Sequence, residues 1–546
     1  MTFTPSATAV GGSLVGSALL GLLPLALFFV LLGVFKMKTH WCSLICLVAA
    51  ILVAVFGFKM PVGLSIMSGL QGAAFGLIPI LYIVIMAVWL YNLTEASGRS
   101  EDVRAVFSTV GKGDMRVQAL LIGFCFCGLL EGLAGFGAPV AIATAMLFAL
   151  GAPPIRAAVA VMVGNALSVG FGAIAIPMTT VAAQGGQDPT LVGGTAGRIA
   201  PILVVFVPFL MLAILDGRRG LKQTWPAALT AGVTMALFQF IGSNFISYEL
   251  TAVIASLLSF AAVVVLMRFW TPTAAEGMST QTPAEKLSGG RVTLGLLPYW
   301  LVVIVFGIAK LGGAIPDWLS STDIKIHWPG LYGQLLDATG KVNEQAVFNF
   351  SWLSSPGTML LITGLIVSLV YGLASSGGRY PFSFGRGIST LGHTIVNLRL
   401  TILTIMAIMA LAYVMNFSGQ TMAIGTWMAG AGATFAFLSP ILGWIGTAVT
   451  GSATSTGALF GGMQYAAANT LHIDPNLLLA VNEVGGGIGK IVSPQNLAIA
   501  ASAIDKPGSE PELLKKAAPW SVGLVVVLGL ITLLASQGAL SFVIAG

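Results

Sequence analysis

Charge is what this sequence has least of. Only 8% of its 546 residues are Asp, Glu, Lys or Arg, against roughly a quarter in soluble domains. So few charges cannot cover a chain that is 56% hydrophobic with a mean hydropathy of +0.94. A soluble enzyme, a nucleic-acid-binding module and a disordered chain are excluded on that ground. Histidine and cysteine are as sparse. His40, His327, His393 and His472 are dispersed, and no HExxH, GxSxG or GxxxxGK(S/T) pattern occurs, so metal, hydrolase and nucleotide chemistry lack their residues. Cys42, Cys46, Cys125 and Cys127 lie in apolar runs and read as packing thiols, not a disulfide framework or metal site. Neither enzyme activity nor a cofactor or metal is expected. Without a nucleotide motif, uphill work must draw on an ion gradient.

What is present is a series of long apolar segments. One crossing takes about 20 residues for a core of about 30 Å, and this content sets the expectation of an all-α polytopic membrane protein with about 12 to 14 transmembrane helices. The run from Leu14 to Phe35 is expected to be the first of them and not a cleaved leader. The net charge of +6 is spread between apolar segments and so reports topology. No Lys or Arg precedes Lys36 and Lys38, which places the N-terminus outside. The loops with Arg99, Arg104, Lys112 and Arg116, with Arg218, Arg219 and Lys222, with Arg268, Lys286 and Arg291, with Arg379 and Arg386, and with Lys506, Lys515 and Lys516 are then cytoplasmic. The polar stretch from Lys310 to Ser355 falls outside, as does the C-terminus.

The polar segment from Thr271 to Gly290 divides the chain into halves of 1–270 and 291–546. An internal repeat supports that division. Asn165 is followed by Gly170, Gly172 and Pro177, and Asn482 at the same offsets by Gly487, Gly489 and Pro494, both reading N-x4-G-x-G-x4-P. Thirty residues before each Asn lies a cluster of small residues, Gly135 to Pro139 and Ser452 to Thr456. Two repeats, expected to be inverted, are the simplest source of such a match. Each offers a hairpin (about 124–150 and 444–470) and a broken helix (about 156–177 and 477–500). Freed backbone at membrane depth is tolerated only against protein or a watery cavity, and paired breaks in two halves point to a transporter's binding site.

Glu131 has no charged neighbour within twelve residues on either side. A carboxylate so placed either exchanges a proton or caps the hairpin's backbone amides. Lys490 stands alone between Arg399 and Lys506. It either meets a small carboxylate, with the Ser493 hydroxyl beside it, or snorkels to the interface. Glu483, next to Asn482, either neutralises Lys490 two helical turns on or belongs to a coupling path. Arg156 follows a Pro-Pro turn and reads as an interfacial anchor, and His472 with Asp474 as solvated loop. A channel remains an alternative, since broken helices also form selectivity filters.

The segments LLEGLAGFGAPVAIATAM, VGNALSVGFGAIAIP, GWIGTAVTGSATSTGALFGGMQ and GGGIGKIVSPQNLAIA resemble the hallmark blocks of the lactate permease family of bacterial lactate and glycolate proton symporters. The resemblance runs over nearly the whole chain. It implies an inner-membrane carrier taking up L-lactate and related 2-hydroxymonocarboxylates with a proton. Carried across position by position, it marks Glu131, Gly135, Gly137 and Pro139 in the first hairpin, and Gly451, Ser452, Thr454, Ser455, Lys490, Ser493, Pro494 and Gln495 in the second half. With the two repeated asparagines, the substrate set is Gly135, Gly137, Asn165, Ser452, Thr454, Ser455, Asn482, Lys490, Ser493 and Gln495, and the proton set Glu131 and Glu483. Glu483 and Arg156 depart from the family pattern. Their extra charge keeps open a different monocarboxylate, or a dicarboxylate if Arg156 reaches the cavity.

Overall fold

A computed structural model describes residues 2–109, 111–135, 137–273, 277–279, 288–310, 314–337, 340–375 and 378–546. Phe136 and much of the segment expected to link the halves, 274–276 and 280–287, lie outside the described residues.

Helices dominate, as they must where no water can satisfy the backbone. Before the linker they are α1 (Leu14–Phe29), α2 (Thr39–Leu52), α3 (Val62–Phe75), α4 (Tyr82–Ala96), α5 (Met115–Leu133), α6 (Ala138–Ala149), α7 (Pro154–Asn165), α8 (Gly172–Gly185), α9 (Pro189–Val204), α10 (Val207–Ile241) and α11 (Thr251–Phe269). After it come α12 (Leu297–Lys310), α13 (Pro356–Leu373), α14 (Arg399–Ser418), α15 (Gln420–Met428), α16 (Thr434–Thr450), α17 (Ala453–Leu471), α18 (Pro475–Lys490), α19 (Pro494–Ala503) and α20 (Glu510–Ser536). Several open on a capping side chain followed by proline. Asp188, Ser355, Asp474 and Ser493 each accept a first-turn amide, with Pro189, Pro356, Pro475 and Pro494 at the next position, where a missing N–H costs nothing. Among the described residues the strands form one antiparallel pair, β1 (Ile324–His327) with β2 (Val347–Phe350), in the polar stretch between α12 and α13.

Among the described residues, ten continuous helical stretches are long and apolar enough to cross a membrane. One of them, Pro189–Ile246, has 58 residues, about 87 Å at 1.5 Å each, and folds back at Gly217, whose φ is +58°. With that stretch as two crossings and the bent pair Gly289–Gly295 and Leu297–Ala309 as one, the tally reaches the lower edge of the expected 12 to 14. The apolar helices α6 and α16 are shorter and form arms of hairpins.

Most of the helices fall into two packed groups that meet where α14 and α15 lie against α17, each group drawing on both halves of the sequence. In one, α1 to α4 pack with α13, α14 and α15; in the other, α5 to α11 pack with α16 to α20. The second group holds the broken elements. The most apolar parts of the α5 and α7–α8 stretches are wholly buried, whereas only a third of the corresponding parts of α1 and α2 is, so the breaks are shielded by protein. Glycine permits the closest of these contacts, between α16 and α18. A methyl group at Gly443, Gly485 or Gly489 would run into the carbonyl oxygen of Asn482, Pro440 or Trp444. Gly489→Ala should therefore destabilise the protein by about 1–3 kcal/mol, the usual cost of overpacking. Gly430→Ala, where nothing lies within 4 Å, should be neutral. Thermal unfolding of the detergent-purified variants checks the pair, and equal melting temperatures would refute the claim.

Candidate functional site

Both hairpins and both broken helices reach one cavity of about 450 Å3. The tip between α5 and α6 turns at Gly137, φ +88°, and the tip between α16 and α17 at Gly451, φ +74°, a left-handed geometry that glycine adopts without strain. The first broken helix passes through a short 3-10 turn, then Ala173, Ile174 and Ala175 at φ 44°, 58° and 55° before Pro177. Three left-handed residues that are not glycine cost roughly 1–2 kcal/mol each. The second broken helix breaks at the matching place, between Lys490 and Pro494. Both breaks thus fall just before the proline of the repeated pattern.

Two ionisable side chains face each other at this junction. Glu131 stands in the last turn of α5 and is 2% exposed. Lys490 ends α18, where the carbonyl pole of the helix favours a cation. Lys490 Nζ donates to Glu131 Oε1 at 2.9 Å, and Asn165 Nδ2 donates to Glu131 Oε2 at 2.7 Å. Cys127 Sγ in turn donates to Asn165 Oδ1 at 3.4 Å, which fixes the amide. A Cβ at position 172 would lie 3.0 Å from Glu131 Oε1, so Gly172 leaves room for the carboxylate. The two interpretations of Lys490 are thereby separated: its ammonium is buried against Glu131 and does not reach for an interface.

Hydroxyl and amide groups complete the wall. Ser452 caps α17 by accepting from Ser455 N at 3.2 Å, and the Ser455 hydroxyl donates to Ser452 Oγ at 3.1 Å. These two, with Thr454, Gln495 and Gly135, border the cavity beside Glu131 and Lys490. Four other expected residues do not. Gly137 packs against Ile499, Asn165 stands behind Glu131, Ser493 caps α19 through Asn496 N at 3.3 Å, and Asn482 lies in a separate buried network. There Gln464 Nε2 donates to Asn482 Oδ1 at 3.2 Å, and Asn482 Nδ2 donates to Glu483 Oε1 at 3.1 Å. Each asparagine of the repeated pattern therefore holds a buried carboxylate, but only the first of these carboxylates reaches the cavity.

Glu483 does not neutralise Lys490, contrary to one of the two roles weighed for it. It points toward Gly457 of α17, and its Oε2 has no hydrogen-bond partner among the described residues. Arg156 is exposed and donates to the Leu215 carbonyl at 3.2 Å, outside the cavity wall. Sequence reasoning missed the outer wall: Lys38, Thr39 and His40 at the start of α2, and Leu400, Thr401 and Thr404 at the start of α14. The basic residues among and beside these had been legible only as topology signals.

The comparison that decides the family spans nearly the whole chain: the model of the L-lactate permease family matches residues 17–537. The chain belongs to that family. It is 36% identical to the glycolate permease GlcA of Escherichia coli K12 and 35% identical to the L-lactate permease of Bacillus subtilis 168, each over 98% of both chains. The L-lactate permease of E. coli K12 is 34% identical over 95% of both. A solved efflux pump, MtrF of Neisseria gonorrhoeae, superposes with a TM-score of 0.44 at 14% identity over 86% of this chain and 82% of that one, too loosely to carry a mechanism across. Membership of this family makes the protein a permease and not an enzyme.

Proposed function

We propose that this permease carries L-lactate and related 2-hydroxymonocarboxylates, glycolate among them, together with a proton across the inner membrane of a bacterium. The observation that carries the reading is the buried Glu131–Lys490 pair lining the cavity. An arriving carboxylate needs Lys490, which Glu131 already occupies. Were Glu131 to stay ionised, the anion would sit about 4 Å from a like charge, a repulsion of about 4 kcal/mol at an effective dielectric of 20, near a thousandfold in affinity. Protonation of Glu131 removes that repulsion and frees the ammonium. Proton and anion then enter together, and the site is neutral both empty and loaded.

The names of the relatives support the substrate class, and the absence of Arg156 from the cavity wall disfavours a dicarboxylate. Basic residues support the orientation. Lys38 and Leu400 border the cavity, and with the sequence neighbours Lys36 and Arg399 the positive-inside rule assigns this end to the cytoplasm, with both termini outside. On this reading the cavity opens inward and the two halves work as inverted repeats.

Uptake of labelled L-lactate into proteoliposomes tests the proposal, with proton, sodium and electrical gradients imposed one at a time. A proton gradient alone should drive accumulation, because a neutral loaded site moves no charge. Glycolate should compete and succinate should not. Uptake driven by sodium or by potential alone would overturn the coupling, and inhibition by succinate as strong as that by glycolate would overturn the substrate class.

A further inference from the structure

A second cavity, of about 180 Å3, lies toward the other ends of two helices that line the first. On α14 the Lys490 cavity is bordered by Thr404 and Ile405, and the second by Tyr413 and Asn416, about 12 Å farther along at 1.5 Å per residue. On α8 the corresponding residues are Pro177 and Gln184. The second cavity has no charged side chain in its wall. It has amides instead, two of them incompletely satisfied.

Gln71 of α3 is 1% exposed. Its Nε2 donates to the Gln345 carbonyl at 2.7 Å, which fixes the amide's orientation and leaves Oε1 without a partner. Gln184 is 3% exposed. Asn416 Nδ2 donates both to the Gln184 carbonyl at 3.2 Å and to Gln184 Oε1 at 2.7 Å. That leaves Gln184 Nε2 as the unpartnered atom. Gln71 and Gln184 both border the cavity, with the two unpartnered atoms sealed just behind its wall. A buried polar group without a partner is costly, so a small turn of each amide toward the cavity is rewarded by a ligand that offers the complement. A 2-hydroxycarboxylate does so on adjacent carbons: its hydroxyl donates and its carboxylate accepts.

We propose that Gln71 and Gln184 form a second, uncharged binding site that recognises the hydroxyl of a 2-hydroxycarboxylate on the extracytoplasmic side, before the substrate reaches Lys490. This rests on the transport reading and adds to it the origin of selectivity. A 2-keto acid has no hydroxyl to donate and leaves Gln71 Oε1 unsatisfied, which should weaken it roughly tenfold against the hydroxy acid. Lacking a cation, the site holds the anion weakly and lets it move on.

The test measures sidedness. In right-side-out vesicles holding the full-length protein, unlabelled lactate should compete with labelled lactate roughly tenfold better than pyruvate, its keto analogue. In Gln71→Leu and Gln184→Leu that difference should vanish. Inside-out vesicles, entered through the Lys490 cavity, should show the same competition in both variants as in the unsubstituted protein, which also certifies that the variants fold. A second measurement leaves the core untouched. Asn349, exposed in the wall of the same cavity, is replaced in Asn349→Cys, and its labelling by an impermeant maleimide should be slowed by lactate but not by pyruvate. Unchanged selectivity from outside, equal changes from both sides, or labelling indifferent to lactate would each overturn the inference. Failure of the unsubstituted protein to transport lactate would strike the transport reading instead, while protection of Asn349→Cys by a hydroxy acid would still report the site.

Discussion

Glu131→Gln abolishes proton-driven accumulation of lactate while sparing exchange of labelled for unlabelled lactate; this is the expected result in proteoliposomes. The amide copies the shape and neutrality of a protonated carboxyl. Its oxygen can accept from Lys490 as Oε1 does at 2.9 Å, and its nitrogen can meet Asn165 once that side chain turns its own oxygen inward. The loaded carrier therefore still forms, and exchange asks only that the loaded carrier reorient. Net uptake asks more. The empty carrier must return with Lys490 neutralised, and without a carboxylate at 131 the ammonium is left buried and unpaired. Accumulation should fall to the level of protein-free vesicles. Residual exchange should lose its pH dependence, because the group that titrated with loading is gone. Preserved accumulation would move the coupling to Glu483, the buried carboxylate that the second repeated asparagine holds.

Lys490→Ala should be the more damaging change. It removes the substrate's charge-assisted hydrogen bond, worth about 1.5–3 kcal/mol, which corresponds to a Km raised about tenfold to a hundredfold. It also leaves Glu131 buried without its partner, a situation that costs about 3–5 kcal/mol. The two effects separate in the double variant Glu131→Gln with Lys490→Ala, which should recover thermal stability without recovering transport. Lys490→Arg should rescue in part, since a planar guanidinium presents its donors differently from an ammonium. An unchanged Km in Lys490→Ala would show that the ammonium does not meet the substrate.

Much of this site was legible one residue at a time. Glu131 and Lys490 stood out because ionisable groups are rare in apolar runs, and the repeated Asn, Gly and Pro spacing marked where the helices break. Their pairing was not legible. The partners lie 359 residues apart, and nothing in the local pattern distinguishes a Lys aimed at Glu131 from one aimed at the neighbouring Glu483. Spacing also could not separate two asparagines of identical context. Asn165 orients the carboxylate at the cavity, whereas Asn482 bonds to Gln464 of α17 and to Glu483. Gly172 was visible as a pattern member but not as the gap that admits Glu131. The amides of Gln71 and Gln184 carry no motif at all. Only the burial of single polar residues within apolar helices could have drawn notice to them.

The Glu131–Lys490 bond also sets an order for biogenesis. A ribosome adding about 5–20 residues per second takes roughly 20 to 70 seconds to travel from one partner to the other. Through that interval α5 is already at the membrane with a carboxylate whose counter-ion has not been synthesised. The nascent first half must keep Glu131 hydrated or protonated until the chain's final helices arrive. The hairpin between α5 and α6 can take its final place only after α18 has inserted. A chain cut short in between is left with an orphaned acidic group inside the bilayer, a mark by which membrane quality control can tell an unfinished permease from a complete one.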